Sequence, residues 1–193
     1  MNKIDISKWQ GDVDFNALKN AGVEFVIIRV GSAGGIGKDR FVDSKFVQNI
    51  TRANEAKIPV GIYYYSYADN SKRAVEDAKW ILKQIEAYDV ELPIAFDWEN
   101  WASFNKYHIS FYHLTKMAED YLDVFKKAGY EGMLYSSKYY LENIWLDTSY
   151  DKWLAHYVDN TTYEGDYSYW QLCENGRVDG IKGDVDIDIR YLR

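Results

Sequence analysis

Two carboxylic acids separated by one residue stand at the end of an apolar segment of this chain. The segment at residues 93–100 reads Pro-Ile-Ala-Phe-Asp-Trp-Glu-Asn, and its acids are Asp97 and Glu99. In a β-strand, residues two apart project from the same face. Two neighbouring acids resist ionising together, so their pKa values separate, and one can donate a proton at a pH at which the other is already ionised.

Acid-catalysed cleavage of a glycosidic bond needs such a pair. One carboxylic acid protonates the leaving oxygen, and a second group stabilises or captures the positive charge that develops on the sugar. Phe96, Trp98 and Trp101 supply the apolar surroundings that raise a carboxyl pKa. The alternative interpretation is a strand end that meets solvent, where acidic residues are common.

Alternating sequence patterns indicate how these acids are positioned. Short β-branched or aromatic segments predict eight strands, at residues 3–7, 24–30, 60–66, 93–99, 132–136, 153–157, 168–173 and 184–188. Amphipathic segments predict helices at residues 14–20, 43–56, 71–88, 110–127 and 138–144, and Asn70 or Ser71 caps the third. We therefore predict an α/β fold, an irregular (β/α)8-like barrel with eight strands and few helices in its second half.

The C-terminal ends of the strands of such a barrel form one mouth, where chemistry takes place. Asp5 ends the first predicted strand, Asp97 and Glu99 end the fourth, and Asp186 ends the eighth. The pattern thus predicts a ring of carboxylates around the mouth. Aromatic and amide side chains also lie in or near strand ends: Tyr63, Tyr65, Tyr135, Tyr157, Trp170 and Gln171.

The alternating acids of residues 184–188 could indicate a calcium loop, but Ile189 stands where that loop needs glycine. They fit a strand instead. We expect a site role for Asp186, and a structural or solvated role for Asp184 and Asp188.

The glycine-rich segment at residues 31–38 is not a phosphate loop. Ser32 replaces its first glycine, and Asp39 stands where a Ser or Thr must follow Lys38. We interpret the segment as a flexible active-site loop. The three histidines show no metal-binding spacing, so neither a metal nor a cofactor is expected.

Charge and composition restrict the partners. The formal net charge of −7 and the absence of a basic run argue against nucleic acid. No stretch of 18 apolar residues is present, so no membrane insertion is expected. Cys173 is the only cysteine, which excludes an intrachain disulfide. The 18 tyrosines and 7 tryptophans are compatible with sugar stacking, and equally with core packing.

Motifs along the whole chain resemble the family 25 glycoside hydrolases, the lysozymes of fungal, bacterial and phage origin. Asp5-Ile6-Ser7-Lys8-Trp9-Gln10 is similar to the family's opening Asp-x-Ser-x-(Trp/Tyr)-Gln, and Asp97-Trp98-Glu99 to its Asp-x-Glu. The other matching motifs, in order, are Asp43-x-x-Phe46-x-x-Asn49-x-x-x-Ala53, Gly61-Ile62-Tyr63-Tyr64-Tyr65, Trp153-Leu154-Ala155-x-Tyr157, Trp170-Gln171 and Gly180-Ile181-x-Gly183-x-Val185-Asp186. No single motif is specific, but the ordered series is.

The resemblance implies cleavage of the β-1,4 bond between N-acetylmuramic acid and N-acetylglucosamine in bacterial peptidoglycan glycan strands. It implies that Glu99 is the general acid and that Asp97 assists the substrate's 2-acetamido group or stabilises the cation. Asp5 and Asp186 complete the acidic floor. The residues expected to contact substrate are Tyr63, Tyr65, Trp98, Tyr135, Trp153, Tyr157 and Gln171.

Two departures from the family pattern affect substrate contacts. Tyr64 stands where many relatives have His, and Gly31-Ser32 where many have Glu-Gly. Two other functions stay open, an endo-N-acetylglucosaminidase or chitinase-like hydrolase and a non-catalytic glycan-binding module.

We expect residues 1–193 to form a single catalytic domain and a monomer. An acidic domain gains little attraction to an anionic cell wall, so we expect a wall-binding module after Arg193. We expect no signal peptide in this chain, because the first predicted strand begins almost at once and no charged-then-apolar leader is seen before it. The chain is therefore expected to reach the cell wall either as a phage lysin released through a holin pore or as a secreted enzyme whose leader has been removed.

Overall fold

Nine strands form one sheet in the computed structural model, which describes residues 3–191; the two residues at each end, including Arg193, lie outside the description. The strands are β1 Lys3–Ile6, β2 Val26–Ala33, β3 Arg40–Val42, β4 Val60–Tyr65, β5 Ile94–Asp97, β6 Gly132–Ser137, β7 Asp151–Ala155, β8 Tyr169–Gly176 and β9 Val185–Arg190.

Eight of these strands close into a barrel, because β1 pairs with both β2 and β9. The order around the barrel is β1, β2, β4, β5, β6, β7, β8, β9. This confirms the predicted irregular eight-stranded barrel. The last strand differs from an ideal barrel, since β9 runs antiparallel to both β8 and β1. Asp186 therefore lies at the start of its strand rather than at the end, and it pairs with Asp5 at the mouth.

The helices lie outside the barrel and are concentrated in the first three quarters of the chain. They are α1 Phe15–Asn20, α2 Phe46–Ala56, α3 Ser71–Ile85, α4 Phe111–Lys127 and α5 Lys138–Asn143, with short 3-10 helices at Lys8–Gln10 and Trp101–Tyr107. The Asn70 side chain accepts a hydrogen bond from the Arg73 N–H at 2.9 Å, so Asn70 is the cap of α3. Between α5 and Tyr191 the structure has no helix, as predicted. None of the helices within residues 3–191 could cross a membrane.

Strand alternation decides which side chains enter the barrel. Ile94 and Phe96 of β5 face outward and pack among the helices, with the Phe96 ring 4.9 Å from that of Tyr121 in α4. The inward positions of several strands form a separate apolar cluster that includes Phe25, Ile27, Ala95, Met133 and Tyr169. The next inward positions along the parallel strands, two residues further on, therefore face the mouth.

The glycine-rich segment at residues 31–38 differs from its prediction as a flexible active-site loop. Gly31 to Ala33 belong to β2 and pair antiparallel with β3 in a hairpin. A side chain on Gly31 would place its Cβ 2.2 Å from the Phe41 carbonyl oxygen, so this close strand approach requires glycine. The glycine content of this segment thus serves strand pairing and a turn.

Candidate active site

The inward positions at the mouth surround a cavity of about 200 Å³. On three strands the residue at the mouth lies two positions after an inward residue of the apolar cluster. These pairs are Ala95 and Asp97 on β5, Met133 and Tyr135 on β6, and Ile27 and Arg29 on β2. Every predicted site residue except Trp98 lines this cavity, and Arg29 is added. The lining residues are Asp5, Arg29, Tyr63, Tyr65, Asp97, Glu99, Tyr135, Trp153, Tyr157, Gln171 and Asp186.

Asp97 and Glu99 differ in their exposure. The strand ends at Asp97, whose side chain is buried, whereas Glu99 lies two residues beyond the strand and is exposed at the mouth. Backbone contacts fix this segment to the end of β4. The Ser66 N–H donates to the Asp97 carbonyl at 2.8 Å, and the Asn100 side chain donates to the Ser66 carbonyl at 2.8 Å. The two acids therefore meet across a short fixed turn rather than along one strand face.

Burial is the main cause that raises the pKa of Asp97 well above its ordinary range, and the charge of Glu99 raises it further. The Arg29 guanidinium opposes this rise. The pKa of Glu99 is also raised, mainly by the protein groups that displace water from its inner side. The two carboxyl groups share a side-chain hydrogen bond, so they titrate as a pair. The Oδ1 atom of Asp97 is buried and has no hydrogen-bond donor within residues 3–191.

A second group of acids faces this pair. Burial raises the pKa of Asp5 well above its ordinary range, and the charges of Asp188 and Asp186 add to the rise. The pKa of Asp186 is raised to about 6, first by burial and then by the charge of Glu174. Protons are therefore held in this cluster at a pH at which exposed carboxyl groups are ionised.

The sequence predicted that Asp188 is either structural or solvated, and the structure excludes the solvated alternative. Asp188 is completely buried inside the barrel, on the same strand face as Asp186, and its Oδ1 accepts the indole N–H of Trp153 at 2.8 Å. It is a buried member of the acid cluster and not a solvated one. Asp184 is exposed and forms an ion pair with Arg177 at 2.9 Å.

Gln171 connects the acids to the aromatic wall. Its Nε2 donates to Asp5 Oδ2 at 2.7 Å. Its Oε1 accepts the hydroxyl groups of Tyr135 at 2.8 Å and of Tyr157 at 3.0 Å. One amide thereby fixes the orientation of an acid and of two rings that border the cavity.

Arg29 was not among the site residues predicted from the sequence. Its Nε donates to Asp43 Oδ2 at 2.7 Å, and the backbone N–H groups of Lys8 and Lys45 donate to the same carboxylate. Among the described residues that line the cavity, Arg29 is the only cation. A single charge inside the apolar run at residues 25–30, two positions after Ile27, was the signal that could have identified it.

Trp98 corrects another prediction, because it does not contact the cavity. Its side chain is completely buried, and its indole N–H donates to the Ala68 carbonyl at 3.0 Å. The ring packs edge-on against Trp101 and Tyr107 at 4.9 and 4.8 Å. Since it alternates with the two acids, Trp98 points away from them and supports the turn from behind.

No group of His, Cys, Asp and Glu side chains within the described residues 3–191 has an arrangement that could hold a metal ion. Some oxygens of these acids are paired instead, such as Asp5 Oδ2 with Gln171 and Asp188 Oδ1 with Trp153, whereas Asp97 Oδ1 and Asp188 Oδ2 have no partner among the described residues. Clustered carboxyl groups of this kind can transfer protons and can stabilise a developing cation.

The closed barrel with paired acids at its mouth fits the class of glycoside hydrolases. The model of glycosyl hydrolases family 25 matches residues 4–181, and the chain belongs to this family.

The chain is similar to the autolytic lysozyme of Clostridium acetobutylicum, with 27% identity over 192 residues that cover 97% of this chain and 55% of that protein. It is similar to the modular autolysin LytC of Streptococcus pneumoniae, solved in complex with a synthetic peptidoglycan ligand, at a TM-score of 0.83 and 30% identity, covering 98% of this chain and 46% of LytC. A family 25 glycosyl hydrolase from Bacillus anthracis shares the fold at a TM-score of 0.82 and 21% identity, covering 100% of this chain and 89% of that structure. The chain thus spans about half the length of the first two relatives.

Proposed function

We propose that this domain hydrolyses the β-1,4 bond between N-acetylmuramic acid and N-acetylglucosamine in bacterial peptidoglycan. The observation that carries the proposal is the Asp97–Glu99 pair, in which a buried acid lies against an accessible acid of raised pKa at the mouth of a cavity. The lysozyme and autolysin names of the relatives support the same substrate.

Glu99 serves as the general acid in this proposal. It remains accessible at the mouth, and its raised pKa retains the proton that the leaving oxygen requires. As the bond from the anomeric carbon to that oxygen breaks, its electron pair goes to the oxygen, which takes the proton of Glu99. The leaving sugar departs with a new hydroxyl group.

Asp97 holds the substrate's 2-acetamido group. Its buried Oδ1 has no donor among the described residues, and a buried carboxylate oxygen needs one. Asp97 lines the cavity, so in this proposal its carboxylate accepts the amide N–H of the substrate, which directs the acetamide oxygen to the anomeric carbon. The acetamide oxygen forms a bond to that carbon as the leaving oxygen departs. Water then adds to the carbon and breaks this new bond, whose electron pair returns to the acetamide oxygen, and one proton of the water goes to Glu99. The consumed water appears as one hydroxyl on each product, and the anomeric configuration is retained.

The substitution Glu99→Gln tests this assignment. It keeps the shape of the side chain and removes its acid, so we expect kcat on peptidoglycan to fall by about 10²- to 10⁴-fold. Glu164→Gln is the matched control, because Glu164 is exposed and lines no part of the cavity. Wild-type turnover by Glu99→Gln would refute the general-acid role.

Reductive labelling of the products identifies the bond. Muramitol at the new reducing end is the expected product, whereas glucosaminitol would establish an endo-N-acetylglucosaminidase. Binding of glycan without any release of reducing ends would establish a non-catalytic module.

A further inference from the structure

Asp188 is a buried carboxyl group that the proposed mechanism does not use. It is completely shielded from solvent and is not among the residues that line the cavity. It lies on β9 two positions after Asp186, and its backbone partners are Gln171 on β8 and Lys3 on β1. Because β9 runs away from the mouth, Asp188 is one inward layer deeper in the barrel than Asp186.

The side chain of Asp188 is hydrogen-bonded to a residue of the cavity wall. Its Oδ1 accepts the indole N–H of Trp153 at 2.8 Å. Trp153 lies on β7, so its indole reaches past β8 to meet the carboxyl group on β9. An indole has one donor and no acceptor, and a buried donor needs a partner. The bond to Asp188 therefore fixes the rotation of the Trp153 ring.

The Trp153 ring contacts two other aromatic residues of the cavity wall. Its centroid is 4.7 Å from that of Tyr135 on β6 and 6.2 Å from that of Tyr63 on β4, both in edge-on geometry. All three rings line the cavity. A rotation of Trp153 would remove the support of the other two rings, so the orientation of Trp153 affects the shape of the whole aromatic wall.

Packing alone does not explain an acid at position 188. The Oδ2 atom of Asp188 is buried and has no hydrogen-bond partner within residues 3–191. Such an oxygen costs stability, and an apolar side chain of similar volume would avoid the cost. Buried groups that lower stability are typical of functional sites. What the acid supplies, and an apolar residue would not, is the acceptor for Trp153.

We propose that Asp188 is a positioning residue for hydrolysis, which holds Trp153 in the orientation at which the aromatic wall of the cavity fits a sugar ring. This inference rests on the proposed function and adds a residue that acts on the substrate without touching it. Asp188 thereby affects how tightly the sugar is bound, whereas Glu99 affects how fast the bond breaks.

The substitution Asp188→Leu tests this role, because it removes the acceptor and roughly keeps the volume. We expect KM on soluble peptidoglycan oligosaccharides to rise about tenfold, the equivalent of one lost hydrogen bond. We expect kcat to stay within about twofold of wild type, since the wall holds the sugar equally well in the ground state and in the transition state. A wild-type KM, or a loss confined to kcat, would overturn the inference.

Asp188→Asn separates the acceptor from the acid. Its side-chain oxygen can still accept the Trp153 N–H, so this variant should restore the wild-type KM. An Asn variant whose KM is as high as that of Asp188→Leu would show that the acceptor is not what matters, and would contradict the proposal.

A double variant tests whether Asp188 acts through Trp153. In a Trp153→Phe background no indole N–H remains to be held, so the further change Asp188→Leu should alter KM by less than about twofold. A further tenfold rise would assign Asp188 an independent role and overturn the inference. If Asp188→Leu does not fold, Trp153→Phe removes the same bond from its other side, and an unchanged KM of that variant would overturn the inference as well.

Tyr150→Phe is the matched control for lost stability. The Tyr150 hydroxyl also donates to a buried-side carboxyl group, that of Asp123, but Tyr150 precedes β7 at the end of the barrel away from the mouth. This variant should unfold at a lower temperature and keep the wild-type KM. A KM raised as much as in Asp188→Leu would attribute the effect to stability and refute positioning. Failure of the proposed function is a separate result, because it would appear as absent hydrolysis by the wild-type protein or as full activity of Glu99→Gln.

Discussion

Gln171 and Asp5 are 166 residues apart in the sequence, and their side chains meet in a hydrogen bond of 2.7 Å. This bond lowers the pKa of Asp5, whereas burial and the charges of Asp188, Asp186 and Asp97 raise it. The same amide accepts two tyrosine hydroxyl groups. Gln171 therefore influences both the ionisation of Asp5 and the orientation of the Tyr135 and Tyr157 rings.

Replacement of Gln171 by Leu should change both the pKa of Asp5 and the hydrogen bonding of the two tyrosines. The Tyr135 hydroxyl loses its acceptor in a buried site, which costs about 1–3 kcal/mol of unfolding free energy. The pKa of Asp5 rises further, because its hydrogen-bond donor is gone. Urea unfolding and NMR titration of the Asp5 carboxyl measure the two effects. An unchanged Asp5 titration would contradict the role given to this amide.

Arg29 should control the acidic limb of the pH–rate profile. Its charge lowers the pKa of Asp97, so its removal raises that pKa. Because the proposed mechanism needs ionised Asp97, we expect kcat/KM of Arg29→Gln to decline at a higher pH than that of wild type as the solution is acidified. The measurement is the pH dependence of peptidoglycan hydrolysis.

Arg29→Lys is the control for that experiment, since it keeps the charge and should restore the wild-type limb. Removal of the guanidinium also leaves Asp43 without its cation, so circular dichroism must first show that Arg29→Gln is folded. A folded Arg29→Gln variant with an unshifted limb would exclude this electrostatic role.

Asp188 should reduce the stability of the fold at neutral pH. Burial raises its pKa above the ordinary value, so its favourable contribution is complete below about pH 4 and is lost as the pH rises through the raised value. Asp188→Asn cannot ionise and can still accept the Trp153 N–H. We expect it to be more stable than wild type at pH 7, by about 1.4 kcal/mol for each unit of the shift, and to match wild type near pH 4.

Urea unfolding between pH 4 and 8 measures this difference. Asp184→Asn is the matched control, because Asp184 lies two residues away and is exposed, and its effect should stay within about 0.5 kcal/mol. A less stable Asp188→Asn at pH 7 would show that the ionised carboxylate is favourable in the folded state.

Trp98→Phe should lower stability and leave substrate affinity unchanged. The substitution removes the buried donor to the Ala68 carbonyl, a loss of about 1–3 kcal/mol. Thermal unfolding and KM on peptidoglycan give the two values. A raised KM with unchanged unfolding temperature would restore the role that the sequence predicted for this tryptophan.

Most of the acid site could be predicted because period-2 alternation and the rule for barrel strand ends are both local patterns. Arg29 was not predicted because the earlier inward positions of its strand are apolar, and only the assembled register shows where that face becomes polar. The burial of Asp188 was not predicted because a run of alternating acids does not show how deep in the barrel each acid lies. Trp98 stands between the two acids in the sequence, but its side chain is buried behind the turn that brings the acids together.

The direction of β9 can be predicted from the length of the connection that precedes it. Only residues 177–184 separate β8 from β9. A parallel connection needs about a dozen residues or more, whereas an antiparallel one needs few. The connection length thus decides the strand direction that the hydrophobic pattern leaves open.

The pairing of β1 with β9 makes the acid cluster depend on the synthesis of β9. Asp5 leaves the ribosome well before Asp186 and Asp188, which are in the last strand that the structure describes. A nascent chain that lacks β9 has an open sheet edge and only part of its acid cluster. The proposed hydrolytic activity would therefore appear only when the last strand has closed the barrel, and shorter translation intermediates would be inactive.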